Sequence, residues 1–592
     1  MKRSSGRVLA AILVFSAVSL SAYLRTASGM PEAPNLSGFA PPGALLALQC
    51  PDLHALLTAW TQSPEEARWL ASDNFAAFSR SRLFGRLKEA QDEFATSAGL
   101  PPDMRFLTGV AGRESFFAWY DIGKLEFLYI TRLPTGEAEK TPLLALRDRF
   151  QARAAGGTTF YVRSEGEPAR TVAFAVHGDT LLLATREDLM ADALQLMAQP
   201  ATNTLEHEPW YAAAQAAAHG PPGDLHMTLN LNAITRSPYF RSYWVQGNVT
   251  EMRGYSAAVS DLYRSAGELR EERVLLPASS PNGAVRPSAQ DLAPVLHWLP
   301  AGTVYRALSQ PGTDVVLSQL QDKLLWRVPG GYTDPHGSPS ADLQVPVAGT
   351  STDLEQRIDE PLVVSAPSDA AVVAVRSQID AARPVSMLVF SRPEPAPSGD
   401  NSSPNSVFLP MGTGVVLQAS GTWDAGAMQA ALSTATAARV SVPGVAMPWE
   451  TAGEAGNSWV RMKGPVHLAL AVRGQVFLLA SDDETMRLML AQAPGLSSKP
   501  SVAEVQAGVD FAAVRGPLSL LAKRLDHTAA QPVNGEAMPP FFAGNLVSLG
   551  ETFRDLASET FTQAPVSASN ANVRQTVVYR WARGTGSTSS GR

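Results

Sequence analysis

Residues 171–200 read TVAFAVHGDTLLLATREDLMADALQLMAQP, and residues 467–494 read HLALAVRGQVFLLASDDETMRLMLAQAP. Each is an apolar run, a tight turn at a Gly, a second apolar run, an acidic segment and an amphipathic stretch ended by Pro. Gly between two apolar runs marks a hairpin, and acids ahead of apolar residues at helical spacing mark a helix start. Over the sixteen positions from Ala175 and from Ala471, seven are identical. One strand, turn, strand, helix unit is therefore expected to occur twice, in two tandem, diverged copies of one α+β domain.

The segments outside this unit repeat in the same order. FAPPGALLALQ from Phe39 and WLPAGTVYRAL from Trp298 each set a Pro/Gly turn before a strand, with Pro41 opposite Pro300 and Gly43 opposite Gly302. In the first copy Ser63-Pro64-Glu65-Glu66 is a capped helix start. A longer amphipathic helix follows, with Leu83, Phe84, Leu87 and Phe94 near one face and Gly99 as its stop. In the second copy a helix is expected over Asp314–Arg327, with Val316, Leu317, Leu320 and Leu324 inward. ESFFAWYDIGKLEFLYITRLP (114–134) reads as two aromatic strands turning near Asp121–Lys124, then a helix from about Pro142 to Arg153 and a strand at 158–163. Behind the repeated unit, LHMTLNLNAI (225–234) matches VQAGVDFAAV (505–514) as a strand running into helix. Helical stretches near Met252–Arg264 and Phe542–Ala557 then precede the closing strands LREERVLLP and VRQTVVYRW. Strands joined by short turns pair antiparallel, which predicts a meander sheet with helices packed mainly on one face.

The offset between copies runs from 259 at the start to 296 at the repeated unit and 280 at the following strand, so loops differ in length. Irregular insertions at 329–351 and 392–410 account for most of this. The expected layout is a first domain at 39–276, a linker at 277–293, a second domain at 294–582 and a Gly/Ser/Thr-rich tail at 583–592. Ahead of these, Lys2, Arg3 and Arg7 precede the uncharged run Val8–Leu24, and Arg25 follows it. Seventeen residues span about 25 Å as a helix, the short limit for a bilayer crossing. Residues 1–29 thus read as a signal anchor that leaves residues 30–38 as a tether and the rest outside the cytoplasm, at the inner membrane and facing the periplasm. Ala27-Ser28-Gly29 offers the alternative of cleavage and secretion.

Net charge is −7 with no Lys/Arg cluster beyond the N-terminus, which argues against nucleic acid as a partner. The one cysteine, Cys50, excludes an intrachain disulfide and a thiolate cluster, and reads as a small core residue. Glu187-Asp188 and Asp482, Asp483, Glu484 could serve as acid and base, but Thr185 to Asp188 and Ser481 to Glu484 fit the spacing of a capping box. His177, matched by Arg473, sits at a turn tip. His207-Glu208 lacks a second His four residues on, where Tyr211 stands, and Gly220-Pro221-Pro222-Gly223 separates His219 from His226. The run Glu268–Arg273 reads as a solvated strand face, and the stripe Phe116, Phe117, Trp119, Tyr120, Phe127, Tyr129 as core in preference to groove lining. No nucleophile elbow or phosphate loop is present. No catalytic, cofactor-binding or metal residue is therefore assigned.

The segments PGALLALQCPDLHALLTAW, LTGVAGRESFFAWY and AVHGDTLLLATREDLM resemble a family of exported, N-terminally anchored bacterial proteins defined only as a domain of unknown function. The resemblance implies an envelope location and a mixed antiparallel fold, and supplies no active residues. The expected function is a non-enzymatic envelope protein that binds or scaffolds a protein partner or a lipid-like, apolar ligand. The alternative is an envelope hydrolase whose site is assembled from residues distant in sequence.

Overall fold

The computed structural model describes residues 35–79, 82–166, 169–218, 220, 222–236, 252–265, 267–279, 289–325, 370–393, 411–437, 447–453, 457–463, 467–492, 501–516, 554–565 and 571–582. The expected anchor run at 8–24, His219, the insertion at 329–351, most of that at 392–410, the stretch at 542–553 and the tail at 583–592 lie outside the described residues. Among the described residues no helix is long and apolar enough to cross a membrane.

The fold is α+β and its strands pair antiparallel. Two compact units divide it, one built from 1–283, 544–555 and 568–592, the other from 284–543 and 556–567. In chain order the strands are β1 (Leu46–Cys50), β2 (Glu114–Asp121), β3 (Glu126–Arg132), β4 (Gln151–Ala155), β5 (Thr158–Glu165), β6 (Arg170–His177), β7 (Thr180–Ala184), β8 (Leu225–Leu229), β9 (Tyr255–Ser265) and β10 (Glu268–Pro277). They continue as β11 (Val304–Ser309), β12 (Pro384–Pro393), β13 (Met411–Ala419), β14 (Trp449–Ala452), β15 (Trp459–Met462), β16 (Leu468–Arg473), β17 (Val476–Ala480), β18 (Val505–Asp510), β19 (Leu556–Gln563) and β20 (Val573–Trp581).

In the first unit the strand order is β4-β5-β6-β7-β3-β2-β1-β8-β9-β10-β20. In the second it is β14-β15-β16-β17-β13-β12-β11-β18-β19. Neither is a simple meander: the chain leaves β3 for the far strand β4, returns to β3 through β7, then crosses to β8 beside β1. VRQTVVYRW, the closing strand of the second half in sequence, here pairs with the closing strand of the first.

The hairpin at the centre of each order is the repeated unit. His177 faces Thr180 across a turn at Gly178, whose φ is +58°, and Arg473 faces Val476 across Gly474 at +60°. That left-handed backbone is why both turns carry Gly.

Helices cover both faces of each sheet, not mainly one. In the first unit α1 (Leu53–Thr61), α2 (Pro64–Ala71), α3 (Arg82–Ala98) and α4 (Met104–Val110) precede β2, and α5 (Glu187–Ala198) and α6 (Pro209–Ala217) follow β7. Phe94, Phe106 and Val110 from α3 and α4 bury against Val172, Phe174, Leu181 and Leu183. Leu189, Met190, Ala193 and Leu194 from α5 bury against Phe116, Ala118, Leu128, Leu182 and Ala184 on the other face. Strands covered on both sides lose their polar alternation, which is why LLLA at 181–184 reads as continuous apolar sequence. In the second unit α7 (Thr313–Leu320), α8 (Ala370–Ala382) and α9 (Ala425–Ala437) share one core with Val415, Leu417 and Leu479, while α10 (Asp483–Leu490) packs with Val416 and Leu478.

Local expectations divide by how many partners the site has. Ser63 caps α2, its Oγ accepting the Glu66 N–H at 3.1 Å ahead of Pro64. The capping boxes do not form. Thr185 Oγ1 accepts the Phe127 N–H at 2.8 Å and Ser481 Oγ accepts the Thr413 N–H at 2.9 Å, so both hydroxyls extend the sheet ladder. The cap of α10 is Asp482, which accepts the Thr485 N–H at 2.7 Å, whereas α5 begins at Arg186 with no side-chain cap. Residues 36–38, expected as tether, lie in a 3-10 turn with Leu36 and Ser37 buried. The expected helix over Pro142–Arg153 ends as short turns by Arg149, and Gln151 already belongs to β4. The expected helix near Met252–Arg264 is instead β9, hydrogen-bonded on both edges by β8 and β10. The helix expected over Asp314–Arg327 gives way after Leu320 to a π turn at Gln321–Leu325.

Candidate functional site

Within the first unit the α1, α3 and α4 layer does not close completely on β1, β2, β3 and β7. It leaves a cavity of about 330 Å³. From α3 the wall takes Leu87, Ala90, Gln91 and Phe94, spaced i, i+3, i+4 and i+7 on one helix face. Leu53 and Leu57 of α1 and Phe106, Leu107 and Val110 of α4 close the helical side. The strand side is Phe117, Trp119, Phe127 and Tyr129. Phe117 and Phe127 stack at 4.9 Å between centroids, and Trp119 meets Phe117 edge-on at 5.1 Å. Ala90 contributes a single methyl opposite this aromatic wall, which leaves the volume open.

The aromatic stripe is thus split by strand alternation. Phe116 is core on the α5 face, while Phe117, Trp119, Phe127 and Tyr129 line the cavity on the other. Helix α3 is also read only in part from sequence: Leu87 and Phe94 face the cavity, but Phe84 packs edge-on against Phe75 and Phe78.

Most polar groups in the wall are already bonded. Ser115 Oγ lies 3.1 Å from Tyr129 Oη and 2.7 Å from Thr131 Oγ1, and Tyr129 donates to the Val110 carbonyl at 2.9 Å. Cys50 Sγ donates to the Asp224 carbonyl at 3.3 Å, and Thr185 is held by Phe127. Arg170, the cation at the wall, places Nε and Nη2 on Glu93 at 3.0 and 2.6 Å and Nη1 on the Lys124 carbonyl. Two wall atoms are exceptions among the described residues. Trp119 Nε1 and Gln91 Oε1 are buried without a hydrogen-bond partner.

Burial pushes the Cys50 thiol from 9.0 up to about 12, and pushes the Tyr129 and Tyr211 phenols from 10.0 up to about 12. The neutral forms are favoured by folding, so their contribution is complete below the unfolded values near 9 to 10. It is lost as pH climbs through that range toward 12. At pH 8 the native chain is expected to react with a thiol-specific disulfide reagent about a thousandfold more slowly than the urea-unfolded chain. Comparable rates in the two states would show that Cys50 is open to solvent as thiolate.

The residues weighed for chemistry do not converge on the cavity. Arg186 binds Asp188 and reaches Glu126 at 3.1 Å, and its guanidinium holds the Asp188 carboxyl below its usual range. Asp483 accepts from Trp459 Nε1 at 2.7 Å and Arg461 at 2.8 Å, and Glu484 pairs with Arg487 at 2.6 Å. His177 is exposed and 2.9 Å from Thr158 Oγ1. His207 bonds Thr204 at 2.8 Å, while Glu208 accepts the Gly43 N–H at 3.1 Å and Trp210 Nε1 at 2.9 Å. His226 is buried with Nδ1 on Asp261 at 2.8 Å and Nε2 on Gln215 at 3.0 Å, a cross-strand clamp between β8 and β9. In the run Glu268–Arg273 the charges pair along the strand, Arg270 with Glu272 and Arg273 with Glu271, while Leu269 is buried. Among the described residues no group of three or more His, Cys, Asp or Glu side chains could hold a metal ion.

No protein-family model and no curated protein matches the chain. Among solved structures it is similar to TP0453. Crystal form IV of that protein aligns at 13% identity over 40% of this chain and 79% of that chain with a TM-score of 0.23. Crystal form III aligns at 13% identity over 43% and 84% with a TM-score of 0.24.

Proposed function

We propose that the chain is a membrane-anchored, extracytoplasmic envelope protein that binds an apolar small molecule in its first unit and performs no chemistry on it. The observation that carries this reading is the cavity between α3–α4 and β2–β3. Its volume of about 330 Å³ falls within the range of small-molecule sites, and its wall is apolar with a few polar atoms, the usual make-up of such sites. The basic residues ahead of Val8–Leu24 support the anchor and its orientation. The shared strand order of the two units, with the repeated hairpin at the same place in each, supports two tandem copies of one domain. A hydrolase finds less support, because the buried His226–Asp261 pair has Gln215, and no nucleophile, on its free ring nitrogen.

The test is to purify the full-length chain without added lipid, extract it with organic solvent and analyse the extract by mass spectrometry, alongside uptake of a neutral apolar fluorophore. One apolar molecule bound per chain, or saturable uptake at one site, is the expected result. A chain that is empty and takes up no fluorophore would overturn the proposal.

A further inference from the structure

We infer that the molecule held in this cavity is a neutral, medium-length apolar chain carrying one group that both accepts and donates a hydrogen bond, an alcohol or a primary amide, and not a charged fatty acid. This rests on the binding function proposed above and adds the chemistry of the ligand. At the ~30 Å³ that a water molecule occupies in the liquid, the cavity has room for roughly ten heavy atoms. That bounds the ligand to a short chain.

The polar end follows from an accounting of the wall. A buried donor or acceptor without a partner is costly, and most such groups in folded proteins are satisfied. Six polar or weakly polar groups of the wall are satisfied, or nearly so, within the protein; what remains is one donor, Trp119 Nε1, and one acceptor, Gln91 Oε1. The Gln91 amide is oriented by its contact with the Pro102 carbonyl at 3.4 Å, because a carbonyl only accepts and so draws the NH2. A hydroxyl or an amide satisfies both leftover atoms. A carboxylate cannot donate to Gln91, and the cation it would need, Arg170, already has its three nitrogens on Glu93 and Lys124.

The experiment measures equilibrium dialysis of 1-nonanol, methyl octanoate, nonanoate and nonane with the full-length chain and with Trp119→Phe and Gln91→Met. Trp119→Phe keeps a ring and removes the N–H; Gln91→Met keeps the length and removes the carbonyl. Nonanol is expected to bind about tenfold more weakly to each variant. The ester, which only accepts, is expected to respond to Trp119→Phe alone, and nonane to bind all three chains alike, which also shows that the variants fold. Lengthening the alcohol from six to nine carbons is expected to tighten binding about fourfold per methylene. If nonane binds while nonanol is insensitive to both variants, or if nonanoate binds more tightly than nonanol, the assignment of a neutral donor-acceptor group is wrong and the apolar-ligand reading stands. If none of the four binds, that underlying reading fails.

Discussion

Phe174→Ala is expected to lower the unfolding free energy of the first unit by about 3–5 kcal/mol. Phe174 lies in β6, hydrogen-bonded between β5 and β7, and is fully buried. Its ring meets Phe150 edge-on at 5.0 Å and 81° and stacks on Tyr161 at 5.3 Å and 26°. Truncation removes the transfer free energy of the ring, leaves a void in a core fixed by backbone on both sides, and breaks two aromatic contacts worth about 0.5–1.5 kcal/mol each. Because the chain has two compact units, urea unfolding followed by near-ultraviolet circular dichroism should show more than one transition. The mutation should move one of them and leave the other in place. A shift below about 1 kcal/mol would mean that β6 is not central to its sheet.

Ala90→Phe is expected to abolish ligand uptake by about a hundredfold and to leave stability within about 1 kcal/mol. The added ring enters open volume, so it avoids the strain of about 1–3 kcal/mol that overpacking costs in a filled core. It occupies the space of about four methylenes of ligand, worth ~3 kcal/mol of burial at ~0.8 each. The same dialysis and fluorophore measurements check it, with thermal unfolding as the companion. Full uptake by a folded Ala90→Phe chain would place the ligand elsewhere.

These two positions show what the sequence discloses and what it withholds. Gly178 and Gly474 mark their turns because a left-handed backbone leaves few other residues available, and Ser63 marks a helix start because its partner is three residues away. Thr185 and Ser481 have equally good local acids, yet each hydroxyl takes the N–H of a strand more than fifty residues distant in the chain. Tyr255–Ser265 carries apolar residues that suit either period, and flanking strands decide it. The aromatic stripe announces burial but not which face each ring joins. Most hidden of all is Ala90: a small residue is unremarkable in a helix, and only the packing of α3 across Phe117 and Trp119 turns it into the floor of a site.

The pairing of β10 with β20 bears on how the chain is made. Glu268 meets Arg580, 312 positions further on, so the first unit awaits its last strand until nearly the whole polypeptide exists. At 5–20 residues per second, about 15–60 s separate the emergence of these partners. Through that interval β10 offers an open edge to any passing strand, including that of a neighbouring nascent copy. The run Glu268-Leu-Arg-Glu-Glu-Arg273, dense in charge on that very edge, reads in this light as a guard that keeps the waiting strand from pairing with the wrong chain.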